Sequence, residues 1–216
     1  MKIRGIKIPK QIKYFLFLSI VLNIIRVFLF GNKSFLYILW NVFLASIPFF
    51  ISSILILNIN TKKDVVRPLF IIGFILWLLF LPNAPYVITD FIHLSRAHLM
   101  YDIFFIFASA YTSLLFGLYS ILNMERLLIL KFSKRIVDIF IVIIIFFTSF
   151  GIYLGRFLRF NSWDLFISHD SLFSGIWSIF IQYEGSINTW AYIILFFSFI
   201  YVSYLSFKSD RINSKF

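Results

Sequence analysis

Cysteine is absent from this 216-residue chain, and charged residues are scarce at 13%. The lack of cysteine excludes disulfides, thiolate metal sites and cysteine nucleophiles. An ordinary soluble domain is roughly 45–50% apolar and about 25% charged, whereas 61% of this chain is hydrophobic and 22% is aromatic. So little polar surface excludes a soluble globular protein, because most of the outer surface must face a lipid bilayer.

Several motifs of membrane enzymes and pumps are also missing. The sequence has no His-Glu-x-x-His zinc helix, no Walker loop and no glycine-rich dinucleotide loop. The net charge of +11 would suggest nucleic acid in a soluble protein. Here the basic residues flank apolar runs, so membrane orientation explains them and no nucleic-acid partner is needed.

Six apolar runs reach or nearly reach the roughly 20 residues that a helix needs to cross a bilayer. They cover residues 14–30, 35–59, 65–81, 103–123, 136–155 and 189–207. The basic tail before the first run resembles a signal peptide, but no small-x-small cleavage site follows Phe30, so we expect a retained helix. The shorter run at 172–183 predicts an interfacial or re-entrant helix between spans five and six. The sequence thus predicts an all-α polytopic membrane protein, with residues 1–216 as a single transmembrane domain.

The distribution of Lys and Arg predicts the orientation. Fifteen of these residues fall on one side of the six-span arrangement and four fall on the other. Basic loops stay cytoplasmic, so both termini are predicted to be cytoplasmic. Arg26 is left inside the first helix, from which we expect it to snorkel to the interface.

The first polar segment is LPNAPYVITDFIHL, residues 81–94. Pro82 and Pro85 each lack an amide proton, which predicts that the third helix ends there and that the chain turns in the outer interface. If Thr89 caps a short helix, Asp90 and His93 share a face, where the carboxylate can orient the imidazole as a base or as half of a metal site. The alternative is a helix cap with a polar tip among lipid head groups.

The second polar segment is GIYLGRFLRFNSWD, residues 151–164. Arg156 and Arg159 are three residues apart, so a continued helix would present both guanidinium groups to one carboxylate or phosphate. Asn161, Trp163 and Asp164 add further polar groups beside them. The alternative is that arginine and tryptophan only anchor the chain at the membrane surface.

Small residues at helical spacing, namely Ser109, Ser113 and Gly117 in span four, predict close helix packing. The two polar segments together resemble the signatures of a family of bacterial multi-pass membrane proteins catalogued as a domain of unknown function. The resemblance covers most of the chain from about the second span onward. It implies an integral membrane protein of bacteria and adds no catalytic residue.

These observations give one main functional hypothesis, an outward-facing polar pocket built from both segments. The candidate acids, bases or metal ligands are Asp90, His93, His98 and Asp102. The candidate substrate-binding residues are Asn83, Arg156, Arg159, Asn161, Trp163 and Asp164. Such a pocket would catalyse hydrolysis or transfer on a lipid-linked or anionic head-group substrate in the cell membrane, with membrane lipids as partners. The sequence specifies neither a metal nor a cofactor, and the alternative is a small transporter or a non-catalytic accessory subunit.

Overall fold

The apolar segments form helices because a helix satisfies its own backbone hydrogen bonds, which lipid cannot do. The computed structural model describes residues 6–30, 36–59, 68–94, 98–160, 169–181 and 183–213. Within them, the helices are α1 (Lys10–Phe30), α2 (Leu36–Asn58), α3 (Pro68–Phe80), α4 (Asn83–Tyr86), a 3₁₀-helix (Val87–His93), α5 (Leu99–Ile129), α6 (Lys134–Phe157), α7 (His169–Ile181) and α8 (Tyr183–Asn213).

Six of these helical stretches are long and apolar enough to cross a membrane. They are Lys10–Phe30, Leu36–Asn58, Pro68–His93, Leu99–Ile129, Lys134–Phe157 and Asn188–Ser209. The predicted all-α, six-span fold class is therefore confirmed. A short helix, α7, also lies between spans five and six, while its interfacial position and the orientation of the termini stay predictions.

Five of the six spans are longer than hydropathy alone predicts, and two of them are longer by nine or ten residues. The third span extends from Pro68 to His93, where the sequence predicted 65–81, and α5 begins at Leu99 and ends at Ile129, where it predicted 103–123. The added residues include Asp90, Asp102 and Glu125, all buried. Charged residues lower the local hydropathy even when the protein buries them. Hydropathy therefore ends the predicted span before these helix ends.

The chain divides into two compact units, residues 1–133 and 134–216. A single transmembrane domain over residues 1–216 stays a prediction. In the first unit α5 is the central helix, and 89% of an 18-residue apolar stretch within it is buried. The helices α1 and α2 pack against it, together with α4 and the 3₁₀-helix.

Polar contacts fix α1 antiparallel to α5. The hydroxyls of Ser19 and Ser109 lie 2.7 Å apart, and the Tyr119 hydroxyl donates a hydrogen bond to Gln11 Oε1 at 3.1 Å. Because α1 residues four or seven positions apart share a face, Ser19 and Asn23 are both buried on the side that carries these contacts. Hydrocarbon does not drive two helices together, so such packing and interhelical hydrogen bonds hold them.

Two helical glycines permit close approach in the first unit. A Cβ at Gly117 would lie 2.8 Å from the Cβ of Ala84, and a Cβ at Gly73 would lie 2.8 Å from Leu55 Cδ2. The first neighbour is fixed to the backbone of α4, whereas the second is the end of a flexible side chain. The prediction that Gly117 allows close packing is therefore consistent with its contact to α4.

This difference predicts unequal effects of alanine. Gly117→Ala is expected to lower the free energy of unfolding by about 1–3 kcal/mol, because α4 must shift. Gly73→Ala is expected to change it by less than about 1 kcal/mol, since a rotation of Leu55 relieves the contact and alanine favours a helix. Unfolding in detergent, followed by circular dichroism, measures both variants, and equal losses would contradict this account of the packing.

In the second unit α6 and α8 pack antiparallel. The hydroxyls of Tyr153 and Thr189 lie 2.8 Å apart at one end, and Lys208 Nζ donates to Asp138 Oδ1 at 3.3 Å toward the other. In the sequence, the basic residues nearest to Asp138 are Lys134 and Arg135. The structure instead gives Lys208 from α8, because helix–helix packing places that side chain opposite the carboxylate.

Candidate functional site

The third span is broken near its midpoint. The α-helix α3 ends at Phe80, and a turn at residues 81–82 precedes α4, so the predicted helix end at the prolines is confirmed. Leu81 is the fourteenth of the 26 residues of this span and is fully buried. The break therefore lies within this 26-residue helical stretch, while the turn in the outer interface stays a prediction.

Side chains donate further hydrogen bonds to the backbone on both sides of the prolines. Asn83 Nδ2 donates to the Phe80 carbonyl at 3.0 Å, and Thr89 Oγ1 donates to the Tyr86 carbonyl at 2.7 Å. Because irregular backbone in a membrane must find such partners within the protein, both residues stabilise the break. Thr89 lies inside the 3₁₀-helix and does not cap a helix as expected, and Asn83, a candidate for substrate binding, has this structural contact.

Asp90 and His93 both contact α2 from the 3₁₀-helix. Only 1% of Asp90 is exposed, and Asn41 Nδ2 donates to its Oδ2 at 3.0 Å. The exposed His93 packs edge-on against the ring of Tyr37, with 5.7 Å between ring centroids. Tyr37 and Asn41 lie one turn apart on α2, while residues three apart align in a 3₁₀-helix. Asp90 and His93 therefore lie along the same helix, one buried and one open.

Arg26 and Asp102 form a buried ion pair between α1 and α5. Arg26 Nε lies 2.7 Å from Asp102 Oδ1 and Nη2 lies 3.3 Å from Oδ2, with 3% and 0% of the two side chains exposed. Asp102 belongs to the first turn of α5 and is not in a loop. Because its partner comes from α1, Arg26 forms an interhelical bridge and does not reach the interface as the sequence suggested.

His98 lies just before α5, where its ring stacks on Phe30 with 3.8 Å between centroids. The imidazole is half-buried. This contact ties the start of α5 to the end of α1, close in sequence to the Arg26–Asp102 pair. His98 thus belongs to the same α1–α5 interface.

The arginines of the second segment are not on one continuous helix. Arg156 lies in the last turn of α6, which ends at Phe157, and Arg159 has a left-handed φ of 58°. The Phe160 amide donates to the Leu154 carbonyl at 3.2 Å and ends the helix. The suggested continued helix is therefore wrong, because a left-handed residue reverses the chain direction.

The structure does not test the remaining candidate residues or the pocket that the two polar segments were expected to share. Asn161, Trp163 and Asp164 lie outside the described residues. The meeting of the two polar segments stays a prediction, since they belong to different units. Within the part of the chain that the structure describes, no group of three or more His, Asp or Glu side chains is placed to hold a metal ion.

Sequence reasoning noticed Arg26 and Asp102 separately and did not pair them. The available signal is that they carry opposite charges and that the six-span arrangement places both on the same side of the membrane, Arg26 near the end of one apolar run and Asp102 just before the start of another. Asn41 was missed as well, because a single amide in an apolar run gives no indication of its partner. Its role becomes visible only when the 3₁₀-helix places Asp90 beside α2.

Six membrane-length helices with buried ion-pair and amide contacts define a multi-pass membrane protein. Residues 40–203, about three quarters of the chain, match the family described as protein of unknown function, DUF1361, and the chain belongs to this family. No curated protein and no solved structure matches the chain. The family match includes Asn41, Asp90 and the break, whereas Arg26 lies before its first residue.

Proposed function

We propose that the protein moves a small polar or charged solute across a membrane, and that the segment after the break in the third span is its mobile element. The observation that carries this proposal is the buried Asp90 carboxylate beyond a break at the middle of a membrane-length span. A bacterial cell membrane is the setting that we infer for this activity.

The break supports transport because Pro82 and Pro85 interrupt the regular backbone hydrogen bonding of the third span. Transporters commonly bind substrates and coupling ions at such interruptions, near the membrane midplane. Here Ala84 in α4 lies against Gly117 of the central helix, so the break faces the middle of α5. Ionisable groups buried inside a membrane are costly and usually functional.

Polar side chains along α5 support the same proposal. Buried polar residues occur along α5 from its first turn to the residue before its last turn, namely Asp102, Ser109, Thr112, Ser113, Ser120, Asn123 and Glu125. Asn123 Nδ2 lies 3.4 Å from the hydroxyl oxygens of both Ser52 and Ser53 on α2. A solute that separates α2 from α5 would therefore meet these three polar side chains.

Thiol labelling tests this proposal directly, because the chain has no cysteine of its own. Val87→Cys and Thr89→Cys place single thiols at buried positions after the break. If this segment opens to water, a membrane-impermeant maleimide should label both variants in native membranes. The maleimide reacts with the thiolate, which forms where the thiol is in contact with water.

Ile75→Cys is the matched control, because Ile75 lies on α3 in the same span and is exposed in the direction of lipid. It should label slowly in membranes and fully after denaturation in sodium dodecyl sulfate. Protection of Val87→Cys and Thr89→Cys in membranes, combined with full labelling after denaturation, would contradict opening of the segment.

A second candidate function is hydrolysis or transfer on a lipid-linked or anionic head-group substrate. The observation in its favour is that His93 is exposed while Asp90 lies buried one 3₁₀ turn before it. In such an enzyme the imidazole would act as acid or base and Arg156 and Arg159 would hold the anion. Asp102 is not proposed for this role, because its carboxylate is closed by Arg26.

A further inference from the structure

An open groove of about 640 Å³ lies on the second unit, at the N-terminal end of α6. Lys134, Arg135 and Asp138 line one end, and Ile139, Ile143 and Tyr201 line the continuation between α6 and α8. Arg135, Ile139 and Ile143 are each four residues apart, so they form one row along the surface of α6. The groove therefore passes from charged to apolar along a membrane-length helix.

The charged end of the groove is net positive. The Asp138 carboxylate accepts a hydrogen bond from Lys208 Nζ, which also donates to the Tyr204 hydroxyl at 3.1 Å. The one acid in this lining is thus paired from outside the groove. Within the described part of the chain, Lys134 and Arg135 are exposed and have no ion-pair partner.

The apolar part of the groove determines what kind of anion fits. Ile139 and Ile143 are 54% and 44% exposed, and they follow Arg135 by one and two turns into the span. A phosphate at Arg135 would leave this surface uncovered, whereas a phospholipid would cover it with an acyl chain. Two cations at the start of a membrane span also lie where lipid phosphates are found.

We propose that this groove binds one anionic phospholipid, with its phosphate between Lys134 and Arg135 and an acyl chain along Ile139 and Ile143. The guanidinium of Arg135 can donate two parallel hydrogen bonds to a phosphate, and the Lys134 ammonium adds a point charge. Tyr201 of α8 also lines the groove. The lipid site belongs to the second unit, whereas the transport proposal concerns residues of the first unit.

Native mass spectrometry of the full chain in mixed micelles of phosphatidylcholine and phosphatidylglycerol tests the site. Lys134→Gln/Arg135→Gln should lower the preference for phosphatidylglycerol by about thirtyfold, the combined effect of two charges at a membrane surface. The exchange Lys134→Arg/Arg135→Lys should keep that preference, because both charges remain.

The matched control is Lys10→Gln/Lys13→Gln, which removes two exposed charges from the start of α1. It should leave the preference unchanged. Millimolar inorganic phosphate should not displace the lipid, because phosphate lacks the chain that covers the isoleucines. Unchanged phosphatidylglycerol retention in Lys134→Gln/Arg135→Gln, equal loss in the control, or displacement by phosphate would each overturn the proposal.

Discussion

Replacing Arg26 with leucine is expected to lower the free energy of unfolding by about 3–5 kcal/mol, because it leaves the Asp102 carboxylate buried without its cation. Asp102→Leu is expected to have a similar effect, since it strands the guanidinium of Arg26. Both side chains are almost fully inaccessible, so neither remaining charge can reach water without opening the α1–α5 interface.

The double variant Arg26→Leu/Asp102→Leu separates this explanation from a general loss of packing. Removing both charges abolishes the desolvation penalty, so its loss should be much smaller than the sum of the two single losses. Titration with sodium dodecyl sulfate, followed by circular dichroism, gives all three values. Additive losses would show that the two residues do not depend on each other.

Trp77→Ala is expected to lower the free energy of unfolding by about 3 kcal/mol, the lower end for truncation of a buried aromatic. Trp77 is the largest fully buried side chain among the described residues, and with Phe70 it forms the buried face of α3. The lower value applies because lipid tails are as apolar as the indole ring, so only the lost packing contributes. Thermal unfolding in detergent measures the change.

Two controls define what Trp77 contributes. Its indole nitrogen has no hydrogen-bond partner among the described residues, so Trp77→Phe should cost only about 1 kcal/mol. Trp40→Ala removes the same side chain from an exposed position on α2 and should have little effect. An equal loss at Trp40 would mean that detergent contacts, and not packing of α3, determine the result.

Hydropathy was sufficient for the fold class because a membrane span depends mainly on its own residues. The two prolines were likewise sufficient to locate the end of α3. The position of the break within the span was not predictable, because residues 82–93 include Asn83, Thr89 and Asp90. Asn83 and Thr89 donate to carbonyls only three residues back along the chain, but the buried Asp90 depends on Asn41, which lies 49 positions away in sequence.

The candidate site was predictable in part. Asp90 and His93 share a helix as their spacing indicated, and both contact α2. The role of Asp102 was not accessible, since its partner Arg26 is 76 positions away. The separation of Arg156 from Arg159 was equally hidden, because arginine seldom adopts the left-handed φ that ends α6.

Transport requires the interior of the third span to open to both sides of the membrane in turn. Labelling of Thr89→Cys with an impermeant maleimide, in sealed vesicles of the two opposite orientations, measures this most directly. Transport predicts modification from either side, while Ile75→Cys stays protected in both preparations. Modification from one side only would contradict transport and favour chemistry at a single membrane surface.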